Sequence, residues 1–155
     1  MTDLLTDLLV VPGFVAHDAA ALDLVPAVRP SRARGSLKPG ATEAIDPATV
    51  GGRENLAQSL VLRLLTQRGS LAALGHSVYG SRLHELVGER KTDALRNLCR
   101  AFVLEAVAQE PRVEDKAVAL DFDLAAETSS TFVFTLSVQP RAGGEQVDLG
   151  LEVTL

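Results

Sequence analysis

Acidic side chains are the residues of this sequence with the clearest potential for catalysis. Hydrolysis of a glycosidic bond needs two carboxyl groups at a fixed separation, one of them with a raised pKa. Glu105 and Glu110 are the candidates on the main predicted helix, but five residues of spacing place them about 140° apart around an ideal helix. Asp121 and Asp123 share one face of a predicted strand. Aromatic residues form only 4% of the chain and tryptophan is absent, so few rings could stack on a sugar and we expect no enzymatic activity.

The residues that commonly bind metals or nucleotides are too scattered to form a site. His76 and His84 lie eight residues apart across a glycine-bearing loop, and His17 is remote. Neither the Cys–His spacing of a zinc site nor an acidic calcium loop is present. The Gly-Gly pairs at 51–52 and 143–144 lack the Gly-Lys-Ser/Thr of a phosphate-binding loop. We therefore expect no metal and no cofactor.

Cys99 is the single cysteine, so no internal disulfide can form. It lies between Leu98 and Phe102 in a helical pattern, which favours a buried, unreactive thiol over a reactive one. A chain with one free thiol suits folding in a reducing cytoplasm.

Two amphipathic helices and one short helix are predicted in the middle of the chain. The first covers residues 53–67, and a glycine-rich loop at 69–81 follows it. Ser81 is the candidate N-cap of a short helix that ends at Val87. Thr92 is the candidate N-cap of the main helix, residues 93–109. The apolar stripes consist of Leu56, Leu60, Val61, Leu64 and Leu65 on the first helix and of Leu95, Leu98, Phe102, Val103, Ala106 and Val107 on the main helix.

Three stretches of alternating apolar and polar residues follow the main helix. Glu110 precedes Pro111, and the residue before a proline is disfavoured in helical geometry, so the helix ends there. The predicted strands are residues 118–124, 132–138 and 147–155, each with one apolar face. Their short connections favour an antiparallel meander. The sequence thus predicts an α+β fold, in which a three-stranded antiparallel C-terminal sheet packs on two main helices and one short helix.

Residues 1–50 are predicted to form an extended segment outside a domain at residues 51–155. The leucines of segment 2–11 are spaced as on one helical face, and Pro12-Gly13 ends that pattern. A basic stretch at 29–40, rich in proline, glycine and serine, predicts a flexible linker. Docking of these positive charges on an acidic neighbour is the alternative.

Acidic residues are concentrated in the last third of the chain. Residues 113–155 contain eight acidic and two basic residues and carry −6, whereas the rest carries +1, for a total of −5. Nucleic acids bind basic surfaces, so we expect a basic protein partner and no nucleic acid. No apolar run approaches the ~20 residues needed to cross a membrane, and no membrane insertion is expected.

The last predicted strand gives the sheet an open edge. An edge strand exposes unpaired backbone N–H and C=O groups, to which another chain can add a strand. The apolar residues that define this edge strand are Val147, Leu149, Leu151, Val153 and Leu155. The arrangement favours assembly over catalysis.

Four short segments carry a family resemblance in their order and spacing. They are GRENLAQSL at 52–60, LLTQRG at 64–69, VYGSRLHEL at 78–86 and EPRV at 110–113. Followed by three strands, they resemble the baseplate wedge and sheath-initiator family of contractile phage tails. Relatives of that family occur in phage-like extracellular injection particles and in type VI secretion baseplates. The resemblance covers about residues 50–155.

The resemblance implies a structural protein that is assembled in the bacterial cytoplasm into a baseplate, in six copies around the central tube. The implied partners are wedge proteins, the sheath protein and inner tube or hub proteins. The implied wedge-docking residues are Glu110, Pro111 and Arg112, and the implied inner-ring contact loop is Tyr79, Gly80 and Ser81. The strand at 147–155 would face the sheath and template its first ring by strand addition.

Simpler interpretations of these residues stay open. Glu110 and Arg112 could form an internal ion pair at the surface, worth ~0–1 kcal/mol. Tyr79-Gly80-Ser81 could be only a turn, in which glycine takes a positive φ and serine caps a helix. Some members of the family have carried a lysozyme-like label, so a peptidoglycan hydrolase is one alternative function. An adaptor that binds a single partner through its edge strand is another.

Overall fold

A computed structural model describes residues 5–8, 26–30, 43–47 and 49–155 of the chain. Within these ranges it contains seven strands, two α-helices and two short 3-10 helices. The strands are β1 (Thr6–Leu8), β2 (Pro26–Pro30), β3 (Glu43–Pro47), β4 (Thr49–Gly51), β5 (Val113–Phe122), β6 (Thr131–Pro140) and β7 (Val147–Thr154). The α-helices are α1 (Gly52–Leu65) and α2 (Asp93–Ala108). Two helices and antiparallel sheets confirm the predicted α+β class.

The C-terminal sheet has the order β5-β6-β7, with both neighbouring pairs antiparallel. Val118 pairs with Val138 and Phe122 with Phe134, and the register shifts between Val113 and Val118. β5 begins five residues before the predicted strand. This first part of β5 is irregular and lacks strict alternation of apolar and polar residues, so the sequence pattern did not reveal it.

Helices and sheet form two layers around one core. The fully buried side chains include Phe132 and Phe134 from the sheet and Leu56, Leu60 and Val103 from the helices. The opposite face of the sheet is largely exposed. The sequence therefore predicted correctly which side of each strand faces the helices.

The ends of the helices depend on local hydrogen bonds. Thr92 Oγ1 accepts from the Leu95 N–H at 3.1 Å, which confirms the predicted cap of α2. The α1 helix ends two residues earlier than predicted, because Thr66 is extended and its hydroxyl donates to the Leu62 carbonyl at 2.7 Å. Leu65 is consequently 67% exposed and does not belong to the buried stripe.

The short helix is a 3-10 helix, Leu83–Leu86, and its N-cap position is occupied by Arg82. The predicted cap residue, Ser81, has a different main contact: its hydroxyl donates to the Leu64 carbonyl at 2.6 Å. The same hydroxyl oxygen accepts from the Leu83 N–H at 3.3 Å, so Ser81 does contact the start of this helix as a cap would, from one position before the N-cap. A second 3-10 helix, Ala72–Leu74, lies within the predicted loop.

The described N-terminal residues form strands. β1 pairs with β4 and β2 pairs with β3, both antiparallel. The helix predicted at residues 2–11 was wrong at Thr6–Leu8, because backbone pairing with β4 outweighs the weak helical pattern of a short segment. The predicted linker contributes its first two residues to β2, and residues 31–40 lie outside the described ranges. The boundary at residue 51 stays a prediction.

Candidate functional site

The predicted wedge-docking residues, Glu110 to Arg112, form a corner of the chain directly after the last turn of α2. The Glu110 N–H donates to the Val107 carbonyl at 2.9 Å, and Pro111 then turns the chain towards β5. The Glu110 side chain is 4% exposed, and its oxygens accept from Arg112 Nε at 2.7 Å and Arg112 Nη2 at 3.1 Å. The pair is thus internal, as the simpler interpretation had it, but Glu110 is buried and Arg112 is 12% exposed, so the pair is not a surface pair.

Arg63 of α1 is the residue of this corner that sequence analysis missed. Its Nη2 lies 3.6 Å from Glu110 Oε2, and its guanidinium lies 4.5 Å from the centre of the Tyr79 ring. One side chain therefore joins the corner to the predicted contact loop. A signal was present in the sequence: Arg63 follows Leu56 by seven residues and Leu60 by three, so it occupies a stripe position.

The electrostatics of the corner favour an ionised Glu110. Burial opposes ionisation, but the hydrogen bonds and charge of Arg112, together with the charge of Arg63, outweigh it and hold the pKa of Glu110 below its ordinary value of 4.5. The buried carboxylate is therefore charged at neutral pH and depends on these two guanidinium groups.

The contact loop is fixed against the end of α1 by backbone hydrogen bonds. The Ser81 N–H donates to the Thr66 carbonyl at 2.8 Å, and the Arg68 N–H donates to the Ser81 carbonyl at 2.9 Å. Gly80 has φ +105°, and a Cβ there would lie 2.5 Å from the Thr66 oxygen. The predicted need for glycine is confirmed, with a close backbone approach as an additional reason.

The hydrogen-bond directions of β7 identify the groups on its outer edge. The Leu155 N–H donates to the Ser130 carbonyl at 2.8 Å, so this residue is directed towards β6. Successive residues of a strand direct their N–H and C=O groups to opposite sides. The residues directed away from β6 are therefore Asp148, Gly150, Glu152 and Thr154. Within the described ranges, no strand pairs with that edge.

The other edges of this sheet region are partly covered. Arg100 Nη1 donates to the Leu120 carbonyl of β5 at 2.7 Å, and β5 is irregular near its start. Just before β7, Arg53 Nη2 donates to the Gln146 carbonyl at 2.6 Å while Nη1 pairs with Glu145. The stretch from Asp148 to Thr154 therefore offers a continuous run of outward-directed backbone groups.

The exposed face of the sheet is acidic. Asp121, Asp148 and Glu152 lie on it, and none of its described residues is basic. Hydrogen bonds from Gln146 and Ser137 hold the pKa of Asp148 below its ordinary value. The edge thus adjoins a surface that stays negative at neutral pH.

The structure brings the corner and the contact loop together but places the β7 edge elsewhere. Val113 pairs with Pro140, so the corner adjoins β5, and β6 separates it from β7. An assembly that used both surfaces would hold two partners at the same time.

The two helix carboxyl groups considered for hydrolysis are held in separate ion pairs. Glu105 pairs with Arg68 at 40% side-chain exposure, whereas Glu110 is buried with Arg112. Among the residues that the structure describes, the carboxyl groups with shifted pKa values are Glu85, Glu110, Glu127 and Asp148, and all four pKa values are lowered. A general acid of a glycosidase needs a raised pKa.

Neither a metal-binding cluster nor a reactive thiol is found among the described residues. No group of three or more His, Cys, Asp or Glu in the described part of the chain could hold a metal ion. Burial raises the pKa of the Cys99 thiol to about 12, in agreement with its predicted inertness. No α-helix of the described ranges is long and apolar enough to cross a membrane.

No protein-family model matches the sequence. No curated protein matches it. The fold is similar to that of a crystal structure from Geobacter sulfurreducens whose provisional description is tail lysozyme. The two chains are 20% identical with a TM-score of 0.55, and the similarity covers 66% of this chain and 89% of the other. Similarity at this level of identity shows a shared fold.

Proposed function

We propose that this protein is a structural baseplate component of a phage tail or a related contractile injection particle. In this proposal it docks on the wedge ring and templates the first sheath ring by accepting a strand on β7. The observation that carries the proposal is the open edge of β7, in a fold shared with a protein provisionally described as a tail lysozyme.

The geometry of the edge supports strand addition in a fixed register. Four outward-directed residues, Asp148, Gly150, Glu152 and Thr154, repeat every ~6.8 Å along the strand. Their inward-directed neighbours Val147 and Leu149 are buried in the core, so the strand cannot slide or twist without breaking the domain. A rigid edge of this kind limits the number of ways in which an arriving strand can pair.

The energy available at one edge is moderate. Four residues offer up to about eight backbone hydrogen bonds, each worth ~0.5–1.5 kcal/mol net. Six copies in a ring would add their contributions through avidity, so individually weak edges would hold a sheath ring. This reasoning favours a multivalent assembly over a single-partner adaptor.

The charges indicate the chemistry of the partner strand. On the added strand, the side chains that lie beside Asp148 and Glu152 of β7 would contact the acidic face of the sheet. Lysine or arginine is favourable at those positions of the added strand. A groove of about 480 Å³ leads to the start of this edge. Its lining residues are Gly51, Arg53, Glu54, Ala57, Val147 and Asp148.

The corner at Glu110 would act in wedge docking by its shape. Glu110 is buried and Arg112 is engaged with it, whereas Pro111 is exposed. We therefore propose that the buried pair holds the outer surface of the corner in position, next to the half-buried Tyr79. The predicted direct contact by both charges is the alternative.

A substitution that blocks only the outer edge tests the proposal. Glu152→Pro removes an N–H that is directed away from β6, so the β6–β7 ladder and the fold should persist. Glu152→Thr is the matched control, since it removes the same charge but keeps the N–H. Particles should be produced with each variant from the native gene neighbourhood and viewed by electron microscopy.

We expect sheaths of normal length with Glu152→Thr and baseplates without sheath with Glu152→Pro. Normal sheaths on particles that contain Glu152→Pro would refute strand addition at β7. A protein that never enters a sixfold particle and forms a simple dimer with one partner would favour the adaptor. Clearing of a peptidoglycan suspension by the purified protein would favour the hydrolase.

A further inference from the structure

The short strand β1 occupies a slot between β4 and the first turns of α1. Thr6 pairs with Gly51 and Leu8 pairs with Thr49. The Gly52 N–H donates to the Leu5 carbonyl at 3.3 Å. The slot thus binds a four-residue segment mainly through its backbone.

A buried side chain completes the slot. Gln58 is 1% exposed, and its Nε2 donates to the Leu8 carbonyl at 2.8 Å. A glutamine amide that is taken out of water requires hydrogen-bond partners, so a backbone carbonyl at this position satisfies a core residue. A backbone segment in the slot thus supplies a hydrogen-bond partner to a buried amide.

The segment in the slot is itself weakly held. All three residues of β1 are exposed, and the exposed fraction is 61% for Leu5 and 41% for Leu8. Leu5 also has φ 55°, a left-handed conformation that disfavours residues other than glycine. Little apolar surface is buried by this segment, so it can leave the slot more easily than the core strands can separate.

The covalent connection allows the segment to reach beyond its own domain. Residues 9–25 connect β1 to β2, and Pro26 of β2 pairs with Pro47 shortly before β4. Seventeen residues span at most roughly 60 Å, whereas a domain of about 100 residues is roughly 35 Å across. A neighbouring copy of the slot therefore lies within reach.

We propose that the slot also accepts residues 5–8 of a second copy of this chain, so that neighbouring copies exchange β1. The second copy is the occupant that fits, because it offers the same four residues in the same register and forms the same hydrogen bonds. The covalent connection gives the chain's own segment an effective concentration of roughly millimolar order. Exchange should therefore be minor in dilute solution and substantial where copies are packed closely.

A mixture of two full-length single-cysteine variants detects the exchange. A Cβ at residue 51 would lie 3.3 Å from Thr6 Oγ1, which is close to the geometry of a disulfide between Thr6→Cys and Gly51→Cys. Neither variant can form this bond within one chain, so a covalent heterodimer reports pairing between copies. The buried Cys99 is present in every sample, so any background disulfide formation by its thiol is the same in all of them.

The variants should be mixed at about 1 mM in a glutathione redox buffer, with a purification tag on one of them. The control mixture pairs Thr6→Cys with Ser70→Cys, which places the second thiol on an exposed loop away from the slot. The double variant Thr6→Cys/Gly51→Cys, in dilute solution, should form the bond within one chain and so report correct folding and register.

We expect several-fold more heterodimer from the Thr6→Cys and Gly51→Cys mixture than from the control. Equal yields in the two mixtures, with an efficient bond in the double variant, would overturn the proposal. Failure of the double variant to form its bond would contradict the register on which the proposal depends. The proposal is independent of strand addition at β7, since loss of sheath assembly in Glu152→Pro leaves the β1 slot intact.

Discussion

Replacement of Arg112 by alanine should destabilise the domain strongly. The substitution leaves the Glu110 carboxylate, 4% exposed, with Arg63 at 3.6 Å as its remaining ion-pair partner. Removal of one member of a buried ion pair costs ~3–5 kcal/mol, and the remaining arginine places the expected loss near ~3 kcal/mol. At ~2–4 °C per kcal/mol for a chain of this length, the melting temperature should fall by ~6–12 °C.

Urea denaturation at pH 7 measures this loss directly. Arg90→Ala is the matched control, because Arg90 is exposed and the same substitution there should change the free energy of unfolding by less than ~0.5 kcal/mol. A loss in Arg112→Ala within ~1 kcal/mol of the control would refute the assigned role of the pair. Arg112 would then be free to act in docking, as the family resemblance implies.

The pH dependence provides a second test of the same pair. The pKa of Glu110 is lowered in the folded state, so its contribution to stability is fully present above its ordinary value of 4.5 and is lost as the pH falls through the folded pKa. In Arg112→Ala that contribution is already reduced. The stability difference between the wild type and the variant should therefore shrink as the pH falls below about 4. A difference that is constant from pH 7 to pH 3 would contradict the electrostatic explanation.

Two further predictions concern the loop and the core. Gly80→Ala should destabilise the domain by ~2–3 kcal/mol more than Gly88→Ala in urea denaturation, because both glycines have positive φ but only at Gly80 does the new Cβ meet the Thr66 oxygen. Equal losses would show that the close approach is unimportant. Cys99 should react with a thiol reagent only at the rate of unfolding, and rapid reaction of the native protein would contradict its burial.

The periodic parts of the sequence predicted the fold well. Strict alternation in β6 and β7 and the stripe of Phe102, Val103 and Ala106 in α2 identified the buried faces correctly. Such patterns are reliable because burial of one face dominates the energetics of a long element. Leu98 is an exception: it belongs to the apolar stripe predicted for α2, but its side chain is 43% exposed.

Short elements were not predictable in the same way. The leucines near Thr6–Leu8 are helically spaced, but the segment pairs with Thr49–Gly51, which is distant in sequence. A segment of a few residues has little intrinsic preference, so its conformation is set by tertiary hydrogen bonds such as that from Gln58. Sequence periodicity carries no information about such partners.

The sequence identified the residues of the candidate sites but not the contacts that these residues make. Glu110 and Arg112 were identified as a pair, yet their burial and the third member, Arg63, became visible only in the structure. Proximity in sequence suggested the pair, whereas Arg63 reaches it from another helix. The open edge of β7 was expected from strand order, while the identity of its outward-directed groups required the hydrogen bond of Leu155.

Amide hydrogen exchange at β7, compared between the isolated protein and the assembled particle, tests strand addition most directly. In the isolated protein the amides of Leu149 and Leu151 should exchange slowly, and those of Gly150 and Glu152 should exchange quickly. Assembly should protect Gly150 and Glu152 to the level of their neighbours. Fast exchange of these two amides in particles that carry a complete sheath would contradict the account.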